Sequence, residues 1–313
     1  MRVGFIGLGN VGGKLSGSLL RNGTELAVHD LNPKLVADFV DRGAVAGGSA
    51  SQLMQSCDVV ITCLPSPTAS AAVMDEMLPQ VTAGKIWLEM STTDEAEVKR
   101  LGAAVIAAGG AAVDCPVSGG CHRADTGNIS IFTGCERDTF ERILPLLTKM
   151  GRRILHTGEL GSASVLKVIT NFMATANLVS CAEALTVAKA AGMNLNVAYE
   201  ALKISSGTSF VHETESQVIL NGSRDISFTM DLVAKDIGLF QEVADRAQVP
   251  LELNPLLIAI FQDGISRFGP RELSPNIIKR LEEATGLSIQ APGFPAEMVD
   301  DEPEEPGYEV KVN

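Results

Sequence analysis

Apolar and polar positions follow two different patterns along this 313-residue chain, and the change comes near Gly158. Before it, short apolar runs alternate with stretches that carry apolar residues at helical spacing. Strands that alternate with helices indicate βαβ units and a mostly parallel sheet. The predicted strands are 2–6, 25–30, 58–64, 85–90, 111–114, 129–133 and 153–156, and the predicted helices between them include 33–42, 68–77, 95–108 and 138–149.

After Gly158 the pattern is helical throughout. The segment from Ser164 to about Ala191 contains neither Pro nor Gly, and Gly192 closes it, which predicts one long helix over about 164–191. Such a helix would span roughly 40 Å. It is apolar on most faces, so we expect it to be buried. Further helices are predicted at 196–203, 209–221, 229–247, 252–268 and 274–285.

These patterns predict an α/β, doubly wound Rossmann-type domain followed by an all-α domain, joined by the long helix. The predicted boundaries are 1–160 for the first domain and 161–288 for the second. Residues 289–313 differ from both, since they are rich in Pro and acidic side chains. This composition is typical of an extended tail rather than a packed element.

Composition limits the classes of function. Hydrophobic residues make up 45% of the chain and charged residues 20%, as in a globular protein, and the net charge is −13. This charge argues against partners such as nucleic acid or an anionic membrane, but a local basic site could still bind a small anionic substrate. No uninterrupted apolar stretch is long enough to span a bilayer, and the first residues lack the features of a signal peptide.

The cysteines and histidines predict no metal site. Six cysteines are scattered without a C-x-x-C pair, and none of the four histidines stands at ligand spacing from another. Several cysteines lie within apolar runs, where a thiol usually packs as a small hydrophobic group. Free thiols of this kind indicate a reducing, cytoplasmic location.

The first strand leads directly into a glycine-rich turn. Gly7-Leu8-Gly9-Asn10-Val11-Gly12 follows the apolar run 2–6, and apolar residues at helical spacing follow it. This arrangement is typical of a dinucleotide-binding turn, in which glycines allow a tight bend and let the backbone approach a pyrophosphate at a helix N-terminus. We therefore expect these six residues to bind the cofactor.

Asp30 indicates which dinucleotide is bound. It ends the second predicted strand, about twenty residues beyond the turn, where a carboxylate can accept the ribose hydroxyls of NAD. It would repel the additional phosphate of NADP, and Leu31, not an arginine, follows it. The pattern favours NAD over NADP; the alternative is a solvated acid in the turn before Pro33.

Lys167 and Asn171 stand four residues apart on the long predicted helix, so they share one face. Two polar side chains on an apolar helix are costly unless something uses them. A Lys that projects into a cleft could exchange a proton with a substrate hydroxyl, because desolvation lowers the pKa of a lysine. The alternative is a Lys whose ammonium reaches solvent beside a capping Asn.

Ser118, Gly119 and Gly120 follow the predicted strand 111–114. Backbone N–H groups at two glycines, together with the Ser hydroxyl, can form an anion-binding nest suited to a carboxylate, although Ser-Gly-Gly is also an ordinary flexible turn. Arg123 comes three residues later, and its fork of donors matches carboxylate, sulfonate or phosphate oxygens. The alternative for Arg123 is a surface ion pair with Asp125 or a neighbouring acid.

With these residues in place, the chain resembles the β-hydroxyacid dehydrogenase family, which contains 3-hydroxyisobutyrate dehydrogenase and tartronate semialdehyde reductase. The resemblance covers residues 1 to about 288, and its blocks stand in the family's order. Four blocks carry it: Gly7-Leu8-Gly9-x-x-Gly12, Asp114-x-Pro116-Val117-Ser118-Gly119-Gly120, Gly158-x-x-Gly161 with Lys167-x-x-x-Asn171, and Lys235-Asp236. Leu64-Pro65 and Ser91-Thr92-Thr93 are weaker matches.

The resemblance implies roles for individual residues. Lys167 would be the acid/base, and Ser118, Gly119, Gly120 and Asn171 would contact the substrate. Lys235 would lie near substrate and cofactor, and Leu64, Pro65 and Thr92 would touch the cofactor. It also implies that the helical domain mediates a homodimer or homotetramer.

The expected reaction is the NAD-dependent interconversion of a small 3-hydroxy acid and its semialdehyde. Cys121-His122-Arg123 stands where the family often has small residues, and Glu95 where it often has Pro, so the exact substrate stays open. Candidates include tartronate semialdehyde and sulfolactaldehyde. A non-catalytic dinucleotide-binding sensor is the alternative from another class, and the presence of Lys167 argues against it. An imine reductase shares the fold but usually lacks this Lys.

Overall fold

The apolar runs in the first half of the chain form one sheet in a computed structural model that describes residues 1–312. All seven predicted strands are present, and the runs at 3–6, 59–62 and 86–89 are buried at every position. The strands are β1 (Val3–Ile6), β2 (Leu26–His29), β3 (Val45–Ala46), β4 (Val59–Thr62), β5 (Ile86–Glu89), β6 (Ala111–Asp114), β7 (Val117–Ser118), β8 (Ser130–Gly134), β9 (Arg153–Gly158) and β10 (Tyr308–Glu309).

The sheet has the strand order β10-β9-β8-β6-β5-β4-β1-β2-β3, with β7 paired to β8. Strands β1 to β6 are mutually parallel and follow the order 3-2-1-4-5-6 of a Rossmann domain. Strand β8 pairs antiparallel with β6, and β9 and β10 run parallel to β8. The order reverses between β1 and β4, and a doubly wound sheet binds its ligand at the carboxyl ends of the strands at this point.

Helices cover both faces of the sheet. Along β4, Val59 and Ile61 belong to one apolar core, and Val60 belongs to a second core on the opposite face. This explains why the strands are continuously apolar rather than alternating. The helices of this part are α1 (Asn10–Arg21), α2 (Pro33–Asp41), α3 (Ala50–Ser56), α4 (Pro67–Met77), α5 (Glu95–Ala107), α6 (Gly120–Asp125) and α7 (Arg137–Leu147).

The second half of the chain is helical from Ser162 to Thr285. Helix α8 is the long predicted helix, and apolar side chains such as Leu185, Ile219 and Phe261 form the core of this part. The helices are α8 (Ser162–Ala190), α9 (Leu195–Lys203), α10 (Phe210–Asn221), α11 (Met230–Arg246), α12 (Leu253–Phe268), a 3-10 turn (Ser274–Ile278) and α13 (Lys279–Thr285). The predicted fold class, a Rossmann-type domain plus an all-α domain, is confirmed.

The chain forms two compact units, and their bounds differ from the predicted ones. The first unit contains Met1–Lys167 together with Asp301–Asn313, and the second contains Val168–Asp300. The first turns of α8 therefore belong with the sheet. The prediction of an unpacked tail is wrong for its last part, because Tyr308 and Glu309 form β10 against Arg153 and Ile154 of β9.

Candidate active site

The turn between β1 and α1 has the geometry of a dinucleotide-binding turn. Gly7 has φ +95°, and a Cβ there would lie 2.2 Å from the Cys63 carbonyl oxygen; a Cβ at Gly12 would lie 2.0 Å from the Gly7 carbonyl oxygen. Both positions therefore require glycine. A Cβ at Gly9, by contrast, would meet nothing within 4 Å. The open position at Gly9 leaves room for a ligand against the backbone.

Helix α1 begins directly at this turn, with Gly9 as its N-cap. Among the described residues no side chain caps it, so the positive end of the helix faces the turn. Asn10 and Val11 stand in its first turn, after the buried Leu8. Backbone N–H groups at an uncapped helix start fit a pyrophosphate, and the residues of this turn fit a bound dinucleotide.

Asp30 follows the end of β2 and also holds the glycine-rich turn. Its Oδ2 accepts the Leu8 N–H at 2.7 Å, and its Oδ1 accepts the Asn32 N–H at 2.8 Å. Each carboxylate oxygen keeps a lone pair that a ribose hydroxyl could use. Leu31 is 97% exposed beside it. The sequence indicated the ribose role, but nothing in the pattern indicated that Asp30 would fix Leu8.

The ends of β4 and β5 are joined by a buried carboxylate. The Leu64 N–H donates to Ser91 Oγ at 2.7 Å, and the Ser91 hydroxyl and N–H both donate to Glu89 Oε1. Glu89 is fully buried, and burial raises the pKa of its carboxyl. This network places the exposed Pro65 and the half-buried Thr92 immediately after these two strand ends, where a doubly wound sheet binds its ligand.

Asp114, the last residue of β6, anchors the start of α8. Its Oδ2 accepts the Ser164 N–H and its Oδ1 accepts the Ser164 hydroxyl, both at 2.7 Å. Asp114 is fully buried; burial raises the pKa of its carboxyl to about 7, against the lowering effect of the Ser164 hydrogen bonds. Lys167 lies one turn further along α8 and is only 8% exposed. Asp114 therefore fixes the helical turn that carries Lys167.

The Ser-Gly-Gly segment forms a tight turn between β7 and α6. Ser118 pairs with Ser130 of β8, and Gly119 and Gly120 have φ +130° and +86°. Successive backbone N–H groups in a turn can form an anion-binding nest. Gly119 is the N-cap of α6, and Ser118 is half-buried. We call residues 118–120 the nest turn.

Arg123 on α6 has an ion-pair partner in the C-terminal segment. Its Nη2 lies 3.8 Å from Glu302 Oε2. Asp125, which the sequence suggested as the partner, instead pairs with Lys14 at 3.1 Å. The side chain of Arg123 also lies over Gly119, since a Cβ at Gly119 would be 3.3 Å from Arg123 Cδ.

Three polar side chains of the second unit form a cluster around Asp236. The Asn171 amide donates to Asp236 Oδ2 at 2.5 Å, and Lys235 Nζ forms an ion pair with Oδ1 at 2.8 Å. The Asp236 side chain is only 2% exposed, whereas 22% of the Lys235 side chain is exposed. Asp236 therefore orients two of the predicted substrate contacts. The Lys235-Asp236 pair in the sequence was the signal for this role.

The structure places the predicted site residues in two groups. The glycine-rich turn, Asp30, Leu64, Pro65, Thr92, the nest turn, Arg123 and Lys167 belong to the first unit. Asn171 and Lys235 belong to the second. Lys167 and Asn171 lie one turn apart on α8. Among residues 1–312, no group of three or more metal-ligating side chains is present.

Two known families match consecutive parts of the chain. Residues 2–158 match the NAD binding domain of 6-phosphogluconate dehydrogenase, and residues 161–281 match the family described as NAD-binding of NADP-dependent 3-hydroxyisobutyrate dehydrogenase. The chain belongs to the β-hydroxyacid dehydrogenase family. It is an NAD(P)-dependent oxidoreductase that interconverts a hydroxy acid and its semialdehyde.

Relatives of this dehydrogenase match over nearly their full length. It is 31% identical to 2-(hydroxymethyl)glutarate dehydrogenase of Eubacterium barkeri over 92% of this chain and 97% of that one. It is 32% identical to NAD-dependent L-serine dehydrogenase of Pseudomonas aeruginosa, over 91% and 98%. The crystal structure of a 3-hydroxyisobutyrate dehydrogenase from Salmonella typhimurium superposes with a TM-score of 0.81 at 26% identity, over 90% and 99%.

Helix α8 of the dehydrogenase is long and apolar enough to cross a membrane, by length and composition alone. The sequence pattern predicted no stretch long enough to span a bilayer, and this helix differs from that prediction. The expectation that this helix is buried is wrong for much of its length, because only 33% of its most apolar window is buried. One such helix is weak evidence for a membrane span, and α8 carries Lys167 and Asn171, which the family resemblance assigns to the active site. All six cysteines are free thiols.

Proposed function

We propose that this dehydrogenase oxidises the primary alcohol of a small 3-hydroxy acid with NAD. Relatives of the chain are named for L-serine, 2-(hydroxymethyl)glutarate and 3-hydroxyisobutyrate. These three compounds share a hydroxymethyl group on the carbon that bears a carboxylate. They differ only in the remaining substituent of that carbon, which is an ammonium, a carboxyethyl or a methyl group. The shared part defines the proposed substrate class.

The proposed chemistry uses one acid/base residue and one carboxylate site. Lys167, held by the anchored first turns of α8, takes the hydroxyl proton of the substrate. Bound NAD supplies the hydride acceptor. The nest turn and Asn171 bind the carboxylate, and Asp236 keeps Asn171 and Lys235 oriented. The single observation that carries this assignment is the burial of Lys167, which is 8% exposed one turn after the Asp114–Ser164 anchor.

The proposed cofactor contacts follow from the ends of the strands. Gly7, Leu8, Gly9, Asn10, Val11 and Gly12 bind the pyrophosphate, and Leu64, Pro65, Thr92 and Lys235 line the rest of the cofactor. Asp30 binds the adenosine ribose. The preference for NAD over NADP rests on its carboxylate, which would repel an additional phosphate, and on Leu31, which offers no positive charge beside it.

Within this class, the substituent on the carboxylate-bearing carbon is proposed to carry no second anionic group. A second carboxylate, as in 2-(hydroxymethyl)glutarate, or a sulfonate, as in sulfolactaldehyde, would need a cation to bind it. Arg123 was the candidate, but its guanidinium already lies 3.8 Å from Glu302. This contact supports a role for Arg123 within the protein and favours the simple 3-hydroxy acids.

We also propose a homodimer or homotetramer in the cytoplasm. Support comes from large apolar side chains exposed on the second unit, which a subunit interface would cover. More than half of each of these side chains is exposed: Met173, Val187, Met193, Val197, Ile204 and Leu256.

A substrate screen tests the proposed function. NADH formation would be followed with 3-hydroxypropionate, L-serine, 3-hydroxyisobutyrate and 2-(hydroxymethyl)glutarate. Matched controls are 3-hydroxybutyrate, which adds a methyl group to the reacting carbon, and 1-propanol, which lacks the carboxylate. We expect turnover of at least one primary alcohol and much weaker turnover of both controls. If 1-propanol were turned over as fast as the hydroxy acids, the proposed carboxylate-binding site would be contradicted.

A further inference from the structure

The C-terminal segment of the chain packs against the first unit through its backbone. Tyr308 pairs with Arg153 and Glu309 with Ile154, so β10 extends the sheet beside β9. A Cβ at Gly307 would lie 2.0 Å from the Gly151 carbonyl oxygen, which shows how closely the chain approaches the turn before β9. Residues 301–312 therefore pack closely against the dinucleotide-binding unit and form part of it.

The acidic side chains of this segment meet arginines of the first unit. The chain has a net charge of −13, yet several of its arginines lie together on the surface that this segment covers. Four glutamates of the segment pair with arginines, and these ion pairs fix the position of the segment along the surface. The pairs are Glu302 with Arg153 and Arg123, Glu304 with Arg21, Glu305 with Arg152, and Glu309 with Arg137.

Glu302 makes the contacts that lead to the nest turn. Its carboxylate accepts two hydrogen bonds from the Arg153 guanidinium, at 2.6 and 3.3 Å, and lies 3.8 Å from Arg123 Nη2. Its carbonyl oxygen accepts the side-chain N–H of the fully buried Asn128 at 2.7 Å. Asn128 in turn donates its backbone N–H to the Arg123 carbonyl oxygen at 2.8 Å. Glu302 thus binds Arg123 both directly and through Asn128.

Arg123, which Glu302 holds, packs against the nest turn. A Cβ at Gly119 would lie 3.3 Å from Arg123 Cδ and 3.7 Å from its Cβ, so the Arg123 side chain covers this glycine. Gly119 has φ +130°, and a glycine moves easily between backbone conformations, so its own sequence does not fix the turn. The position of Arg123 therefore limits the movement of the nest turn.

A second connection runs through the backbone ladder. Ser118 pairs with Ser130, Ser130 with Arg153, and Arg153 with Tyr308. Ser118, which precedes the two glycines, and Tyr308 of the last strand therefore lie in one row of paired residues across β7, β8, β9 and β10. Arg153 belongs to both connections, since it also binds Glu302.

We propose that Glu302 is a positioning residue of the substrate site, which holds Arg123 and α6 so that the nest turn keeps its carboxylate-binding form. The assignment rests on the proposed function of the nest turn. Glu302 does not touch the substrate. It acts through Arg123, whose guanidinium it binds from the side of the C-terminal segment.

Glu305 offers a matched control in the same segment. Its carboxylate pairs with Arg152, which also donates to the Pro306 carbonyl oxygen, and 54% of the Glu305 side chain is exposed. Glu302→Gln and Glu305→Gln each remove one charge; the first loses the ion pairs with Arg153 and Arg123, and the second loses the ion pair with Arg152. A purely structural role of the segment would give the two variants similar properties.

The test combines kinetics with hydrogen exchange on the full-length variants. For Glu302→Gln we expect the KM for the best 3-hydroxy acid to rise about tenfold, or about 1.4 kcal/mol. We expect the KM for NAD to change less than about twofold, because the glycine-rich turn is untouched. Amide exchange in the peptide 118–127 should accelerate. Glu305→Gln should leave both the acid KM and this peptide unchanged.

Two outcomes would overturn the inference. One is the same acid KM and the same exchange of peptide 118–127 in both variants. The other is unchanged exchange of this peptide in Glu302→Gln. If the wild-type protein oxidises no 3-hydroxy acid, the proposed function fails, and the exchange measurement alone then decides whether Glu302 holds the nest turn.

Discussion

Replacing Asp114 with Asn should change how the stability of the protein depends on pH. Asp114 is fully buried, and its two oxygens bind the backbone N–H and the hydroxyl of Ser164. An Asn can keep both contacts, because its oxygen can accept the N–H and its amide can donate to the hydroxyl. The substitution therefore removes the titration and retains the anchor of α8.

The sign follows from the direction of the pKa shift. Burial raises the pKa of Asp114 from 3.8 to about 7 in the folded protein. Between these values the folded state holds a proton that the unfolded state has released. The contribution of Asp114 to stability is therefore fully present below about pH 4, and it is lost as the pH rises to about 7 at up to about 1.4 kcal/mol per pH unit.

Over this window the loss amounts to on the order of 4 kcal/mol. At roughly 2–4 °C per kcal/mol for a unit of this size, the melting temperature of Asp114→Asn relative to wild type should rise by on the order of 10 °C between pH 4 and pH 7.5. Thermal unfolding of both proteins across this pH range measures the difference between their melting temperatures. The other carboxylates titrate in both proteins, so their effects cancel in this difference. Parallel curves for the two proteins would refute the reasoning.

Ser164→Ala provides a check on the cause. Its hydrogen bonds lower the pKa of Asp114 against the effect of burial. Without the hydroxyl, the pKa of Asp114 should rise further, so the loss of stability with increasing pH should extend to higher pH than in wild type. A loss confined to lower pH would show that the Ser164 hydroxyl does not lower the pKa of Asp114.

Three further predictions concern the cofactor and substrate sites. Asp30→Asn with Leu31→Arg should shift the ratio of kcat/KM for NADP over NAD upward by at least about tenfold (about 1.4 kcal/mol), and an unchanged ratio would remove Asp30 from the ribose site. Asp30→Ala should also lower the melting temperature, because Leu8 and Asn32 each lose an acceptor; Asp30→Asn, which keeps an acceptor, should lower it less. Asp236→Ala and Asn171→Ala should each reduce kcat/KM for the hydroxy acid, and the double variant should lose less than the combined effects, since the two side chains act as one unit; full additivity would contradict this.

The sequence was sufficient to predict the helices and strands that are long or have a strong apolar pattern. The apolar runs around Val60, Leu88 and Val113 predicted strands within a residue or two of their observed ends, because strands buried on both faces leave an unmistakable apolar run. The elements that were missed are short: β3, β7, β10, α3 and α6 each have seven residues or fewer. Their formation depends on neighbours distant in the sequence, which a local pattern does not contain.

The tail shows the same limit. Pro and Glu around Glu302 are typical of a solvated segment, and the arginines that bind it, such as Arg21 and Arg153, are more than 140 residues away in the chain. Similarly, the spacing of Lys167 and Asn171 predicted a shared helix face. It could not show that Asp114, 50 residues before Ser164, would anchor that helix. Local chemistry was predictable, whereas partners that only the fold brings together were not.

The most direct test of the account is the turnover of Lys167→Met with the best 3-hydroxy acid from the screen, beside NAD binding by calorimetry. Methionine keeps most of the buried volume of the lysine side chain but cannot transfer a proton. The account predicts a fall in kcat of about 10²–10⁴, the usual contribution of general acid–base catalysis, with NAD affinity nearly unchanged. A variant that kept more than about a third of the wild-type kcat would contradict the assignment of Lys167 as the acid/base.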